Sequence, residues 1–352
     1  MSEIKHERPG VYSVYDASAV VSSGNAAKRI GVVAKASRSV VGNPVALTSY
    51  AAGVTIFGET AGGMSELLRV LFQNGASVVV AVRVANEATL SDYQAAFSVM
   101  EKMDAQIVVC DSADQSVHQA LRTSLENASA ARRERIAVVG GYGESAAELV
   151  AHAAALNSER MVLVGPDALN QNGETVGGTL AAAALAGVIA SGTDPAVPLN
   201  GAEIKGLGGL AEEYSDNDID LLVRGGVTPL ESVAGVVSPV RGITTRTTTG
   251  GAADTTWREL TTILIADDII PALRGALRSK FARAKNTARN RSAIRSQVIV
   301  ELEKKLAAEI IDSYGDVTVT ASEEDPAVCL VEFSFAVAHG LNQIYLTVHI
   351  TV

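Results

Sequence analysis

Aromatic residues make up only 4% of this 352-residue chain, which has a single Trp, nine prolines and two cysteines. With so few rings, the cores must be built from small aliphatic side chains in close-packed layers, a composition that favours α/β architecture. The cysteines, Cys110 and Cys329, stand far apart, each in an apolar run. They exclude a disulfide framework and read as buried reduced thiols. No apolar stretch is long enough to span a bilayer: Thr179 to Ala190 is the most apolar, and it is short and rich in Ala and Gly. The opening MSEIKHERPG carries charge where an export signal would be apolar, so a soluble chain made in the cytoplasm is expected. At 47% hydrophobic, it can bury large cores in two or three domains.

Acid is missing from one place in particular. Between Asp268 and Glu301 there is no acidic residue, yet eight basic ones stand there: Arg274, Arg278, Lys280, Arg283, Lys285, Arg289, Arg291 and Arg295. Without those eight, the formal charge of −10 would be −18. Like charges repel, so such a run is tolerated where solvent screens it or an opposite surface meets it. The contrast is local, and it points to a polyanionic partner for one face; the alternative is a solvated corner whose arginines pair with Asp267, Asp268, Glu301 or Glu303 of the same chain.

Along the chain, Val11 to Tyr15 alternates as a short strand before the polar Ser22 to Asn25. Strand and helix then alternate. Ile30 to Ala34 and Val45 to Leu47 are apolar and lead to Val54 to Gly58; Ser65 to Asn74 has helical spacing, with Gly75 as its C-terminal cap. Val78 to Val84, Ile107 to Cys110, Ile136 to Val139 and Met161 to Val164 read as buried strands. Helices are expected over Leu90 to Met103, Val117 to Ala131 and Glu144 to Leu156. This order predicts a mostly parallel sheet with helices on both faces, followed by an Ala-rich helix over Thr175 to Ser191. Asp194 to Gly251 reads as turns and short strands, with apolar pieces at Ile219 to Val223 and Val233 to Val237. Thr256 to Glu259 has capping-box spacing before a helical stripe from Leu260 to Phe281, which Pro271 should kink or restart. A second helix carries Ile294, Val298, Leu302, Leu306 and Ile310 at four-residue steps. Strands are expected at Val317 to Thr320, Val328 to Val337 and Gln343 to Val352, the last alternating cleanly to its end, as a paired strand does.

The residues of chemistry do not gather. Arg135 to Glu144 places glycines after a strand and before a helix, but it lacks the spacing of a dinucleotide loop, and Glu144 occupies the turn where a phosphate would sit. Gly173, Gly177 and Gly178 are followed by no Lys-Ser/Thr. His6, His118, His152, His339 and His349 show no paired-ligand spacing and read as surface or strand-face residues. Asp267 and Asp268 are adjacent and do not face each other on a helix, and Ser145 lacks the second glycine of a nucleophile elbow. Neither an enzyme nor a cofactor or metal site is expected. The competing readings are a Rossmann-like nucleotide-binding enzyme using Gly140 to Gly143, and a non-contractile tube or shell protein.

Several segments together resemble the contractile tail sheath proteins of phages and phage-tail-like bacteriocins. They are Arg8-Pro-Gly-Val-Tyr12, Pro44 to Tyr50 with Ile56-Phe-Gly58, Asn74-Gly75 leading to Val82-Arg83-Val84, and Ala182 to Ala190 with Thr193-Asp-Pro195. The strongest is Arg224-Gly-Gly-Val-Thr-Pro229 through Arg241 to Arg246 and into Trp257 to Leu260. The resemblance implies a subunit that stacks in six-membered rings around an inner tail tube and contracts to drive that tube through a cell envelope. It implies an outer α/β domain with a mostly parallel sheet over 25–240, and an α+β C-terminal domain over 241–342 with helices packed on a small sheet, facing the tube. Extended terminal strands would be exchanged between subunits: an arm over 1–24, with Val11, Tyr12, Val14 and Tyr15, and a strand over 343–352, with Ile344, Leu346, Val348 and Ile350. The family's tube-facing element lies where the basic run sits, which marks Arg283, Lys285, Arg289 and Arg291 as tube contacts. Implied partners are further copies of the chain, the tail tube, baseplate and tail-terminator proteins, with no direct contact to nucleic acid or membrane. The particle would assemble in the bacterial cytoplasm and leave on lysis.

Overall fold

The computed structural model describes residues 28–342, so the expected terminal strands lie outside the described residues. The chain divides into two compact units, and in their described parts the larger takes in residues 28–193, 197–261 and 340–342 while the smaller takes in 194–196 and 262–339. The expected boundary at 240/241 is therefore not where the units part. Residues 241–261 stay with the larger unit because Arg246 Nη1 meets Glu159 Oε2 (3.2 Å), and Thr245 Oγ1 donates to the Ser158 carbonyl (3.0 Å) while accepting the Ser158 amide (3.0 Å).

The larger unit begins with β1 (Ile30–Lys35), β2 (Pro44–Leu47), α1 (Tyr50–Phe57), α2 (Met64–Gln73) and β3 (Val79–Val84). Val54 to Phe57 thus closes a helix, started by Ser49 accepting the Ala52 amide. After α2, Gly75 takes φ +91°, with the Ala76 amide on the Leu71 carbonyl and the Gly75 amide on Phe72, a Schellman cap as the sequence suggested. Next come α3 (Leu90–Met100), β4 (Ile107–Cys110), α4 (Gln115–Ala130), β5 (Ile136–Gly140), α5 (Ala146–Leu156) and β6 (Met161–Gly165). The short β7 (Ala168–Leu169) and β8 (Thr175–Gly177) lead to α6 (Gly178–Ser191), and β9 (Gly209–Leu210) joins them in a three-stranded sheet. Helix α7 (Asp216–Arg224), β10 (Val227–Val233), β11 (Val236–Pro239) and the small hairpin of β12 (Thr248–Thr249) and β13 (Ala252–Ala253) complete the unit.

Eight strands form one sheet in the order β11-β10-β6-β5-β4-β1-β3-β2. The central pairings are parallel, and only the outer two, β10 with β11 and β2 with β3, are antiparallel. Strands β1, β4, β5 and β6 are buried almost throughout, which is why their sequences run apolar without alternation. Helices α3, α4, α5 and α7 cover one face, and α1, α2 and α6 the other. A Cβ at Gly187 of α6 would lie 2.7 Å from the Asn74 Cβ and 3.0 Å from the Leu71 carbonyl, so only glycine lets α6 approach the end of α2 this closely. The expected short strand at Ile219 to Val223 is instead α7. Its signal is Ser215, whose hydroxyl caps the Asp218 amide while the Asp218 carboxylate takes the Ser215 amide, a capping box hidden in a polar stretch.

The smaller unit packs α8 (Leu260–Phe281) and α9 (Ala288–Ala307) over two antiparallel pairs: β14 (Ile311–Tyr314) with β17 (Phe335–Val337), and β15 (Thr318–Ala321) with β16 (Cys329–Glu332). Ile265, Ile269, Leu273, Val298, Leu302, Ile311 and Val317 form its core, each large aliphatic contributing about 1.5–3 kcal/mol by burial. Helix α8 runs through Pro271 without restarting. The expected box at Thr256 to Glu259 does not form, since Glu259 pairs with Arg241 and the Thr256 amide is taken by Asp254. Val328 to Val337 is two strands in different sheets, parted where Ser334 accepts the Gly315 amide.

Candidate functional site

The acid-free run folds as the end of α8, a connecting corner and the start of α9. Cations in the last turn of α8, Arg278 and Lys280, face the negative end of that helix and are favourable there. Those at the start of α9 are not. Arg289 and Arg291 follow the Thr287 cap, at the positive end of a helix with no acid in its first turn. The corner gathers basic side chains from both helices and answers them with no acid of its own.

Arg283, Lys285 and Arg289 are exposed and make no ion pair among the described residues. The acids that could have neutralised them are engaged elsewhere. Lys305 Nζ meets Asp268 Oδ2 at 2.7 Å, Lys304 Nζ meets Glu301 Oε1 at 3.0 Å, and the Tyr314 hydroxyl donates to Glu303. Arg291 differs from the other three. It is half-buried, and its Nη1 donates to Asn286 Oδ1 (3.0 Å), while Asn286 Nδ2 donates to the carbonyls of Pro326 (2.8 Å) and Val328 (3.0 Å). Arg291 and Asn286 thus fasten the corner to the turn before β16, a role that spacing alone did not reveal. Arg295 is likewise structural, its Nε donating to the Val317 carbonyl at 2.6 Å, and Lys280 donates to Gln297.

The glycine loop after β5 is already filled by the chain itself. Asp167 Oδ2 accepts the Gly143 amide at 2.8 Å, and the Gly178 amide at the start of α6, where an anionic ligand would have to sit, is taken by the Gly141 carbonyl at 2.8 Å. Where the strand order reverses, between β1 and β4, Asp111 closes the crevice. Its carboxylate accepts the Lys35 amide (2.7 Å) and the Tyr93 hydroxyl (2.6 Å), and burial raises its pKa. Cys110 beside it is buried and its thiol is pushed up to about 12 by desolvation, an inert group; Cys329 is half-buried, not buried as expected. His118 and His152 are neither surface nor strand-face residues: both are buried, on α4 and α5, and they bond to each other. Ser145 caps α5 with Glu148. Val11, Tyr12, Val14, Tyr15, Ile344, Leu346, Val348 and Ile350 lie outside the described residues.

Residues 86–245 match the model of the phage tail sheath protein central domain, and residues 252–351 that of the phage tail sheath C-terminal domain. A tail sheath protein of Bacillus phage SP01 is 28% identical over 270 residues, a match that takes in 74% of this chain and 45% of that protein, so the chain spans about half the length of this relative. Among solved structures, the sheath tail protein of Desulfitobacterium hafniense superposes with a TM-score of 0.70 at 12% identity, covering 93% of this chain and all of that one. The helical sheath of the anti-feeding prophage in its contracted state gives 0.71 at 14% identity, covering 98% and 99%. At such identities the superpositions establish a shared fold.

Proposed function

Because this chain belongs to the phage tail sheath family, whose central and C-terminal domains follow one another along it, we propose that it is the structural subunit of a contractile tail sheath. In this reading, subunits stack as six-membered rings around an inner tube, and the rings repack on contraction to drive the tube through an envelope. Further copies of the chain, the tube, the baseplate and a terminator are its partners. It is assembled in the bacterial cytoplasm and released with the particle on lysis. The observation that carries the reading is the order of the two family domains on a chain whose fold matches whole sheath chains end to end. Energy for contraction is stored when the extended, metastable assembly forms, and it is released by repacking rather than by turnover. The carboxylates of Asp167 and Asp111 in the two crevices support a non-enzymatic role, since they repel the phosphates a nucleotide would bring.

In this reading the C-terminal domain faces the tube. Arg283, Lys285 and Arg289 grip a complementary acidic tube surface, and Arg291 both contributes charge and holds the corner's shape. Each exposed pair is worth about 0.2–1 kcal/mol. Many subunits sum to a firm hold that can still be released. The two-stranded sheets of the smaller unit support strand exchange, because isolated pairs are marginal and gain from an added strand. Terminal strands at 10–21 and 343–352 supply it in trans, and a head-to-tail contact that does not close on itself builds a helix. Electron microscopy of the purified protein, alone and with its tube, tests the reading. Hollow striated cylinders are expected, while thin smooth tubes or discrete particles would reject it.

A further inference from the structure

Three side chains outside these surfaces form a hydrogen-bonded relay inside the larger unit. His118 on α4 is 0% exposed and His152 on α5 is 2% exposed. Their ring planes lie within 20° with centroids 5.0 Å apart, and His118 Nδ1 is 3.0 Å from His152 Nε2, so the rings meet edge to edge through their nitrogens. At one end, His118 Nε2 is 2.8 Å from the Ser112 carbonyl oxygen, just after β4. At the other, His152 Nδ1 is 3.0 Å and 3.2 Å from the two oxygens of Glu144, in the loop after β5.

Counting protons decides what this relay is. A carbonyl oxygen only accepts, so His118 Nε2 carries hydrogen and its Nδ1 presents a lone pair. That lone pair must receive a proton from His152 Nε2. His152 Nδ1 then faces a carboxylate, which also only accepts, so this last bond needs a third proton. Two neutral imidazoles supply two. We propose that Ser112, His118, His152 and Glu144 form a site, buried at both rings and half-buried at Glu144, that binds one proton, shared between His152 Nδ1 and the Glu144 carboxylate, and that this proton fastens the loop after β5 to the end of β4. With the proton lost, two acceptors face each other; with another added at His118 Nδ1, two donors do. The relay closes in the one-proton state alone.

The surroundings agree. Asp114, which caps α4, is the acid near His118, and Asp167 and Tyr214 are the groups that face Glu144; Glu148 on α5 is engaged by Ser145. Burial, and then the charge of His152, push His118 down to about 4, as befits the neutral member beside a proton-bearing neighbour.

Nitrogen-15 NMR of the imidazoles at neutral pH tests the site, with His6, His339 and His349 replaced by Asn to leave two residues in view. The expected count is either three protonated ring nitrogens, or two together with a protonated Glu144 carboxyl visible in its carbon shift. Two neutral rings beside an ionised Glu144 in the folded protein would overturn the proposal. Glu144→Gln is the companion variant, because the amide can donate to His152 Nδ1 and complete the relay with two protons. In it both rings should be neutral and protonated at Nε2, and hydrogen exchange in residues 141–145 should lose the alkaline rise, beyond that of the intrinsic base-catalysed rate, expected of the natural protein. An unchanged rise would also count against the site, and if the variant does not fold, the wild-type proton count decides by itself.

Discussion

Lys305 and Asp268 meet at 2.7 Å between α9 and α8, with side chains only 13% and 10% exposed. A pair so far from water is stabilising mainly in that neither charge is left alone. Asp268→Leu strands the ammonium and should lower the stability of the subunit by about 3 kcal/mol. Adding Lys305→Met should restore more than half of that loss. Urea unfolding of the two variants beside the natural protein is the measurement, and equal losses in the single and double variants would disprove the coupling.

Reversing Arg283, Lys285 and Arg289 to Glu removes three exposed cations that bond to nothing else among the described residues. Stability should change by less than about 1 kcal/mol. Extended sheath on tube should be lost while the protein alone still forms cylinders. Arg291→Glu should behave differently, loosening the Asn286 tether and lowering the unfolding midpoint as well. Negative-stain images and urea midpoints separate the two effects.

Glu309 ends α9 with φ +57°, where it is exposed and the Ile310 amide reaches back to the Lys305 carbonyl. A side chain there is crowded against its own backbone, and glycine is not. Glu309→Gly should stabilise the subunit by about 1 kcal/mol. A decrease in thermal midpoint would contradict this.

Acid should weaken the larger unit through His118. Its folded pKa, about 4, lies below the ordinary 6.5, so the unfolded chain takes up a proton first as pH falls. The contribution is complete above about pH 6.5 and is lost on the way down to about pH 4, amounting to about 3 kcal/mol. Asp111, raised by burial, works in the opposite sense at the acid end, so the difference between the natural protein and His118→Asn is the proper readout. Parallel urea midpoints for the two proteins between about pH 7 and pH 4 would refute the effect.

If the chain end pairs in trans as proposed, removing Ile344 to Val352 should leave a folded subunit that no longer polymerises. Cylinders of normal length from the truncated chain would be incompatible with strand exchange.

Much of the larger unit was legible because buried parallel strands leave long β-branched runs, as in Val79–Val84 and Ile136–Gly140. Helix α7 was not, since its stripe is only Leu222 and Val223 and its real signal is the Ser215 cap. The basic corner could be read from charge alone, whereas the separate duty of Arg291 depends on Asn286 reaching a turn some forty residues onward. Spacing also hid His118 and His152. They stand 34 positions apart and meet only because β4 and β5 are neighbours in a parallel sheet, which sets α4 beside α5.

The close approach of α6 to α2 at Gly187, and the Ala-lined faces around it, have a mechanical meaning. Interiors packed this tightly from small side chains have little free volume to yield and transmit strain instead of absorbing it. The larger unit is a stiff block. Under the proposed function, a push at one rim of its sheet would be passed on with little taken up inside the unit, and the compliance of a contracting tail would reside in the joints between blocks.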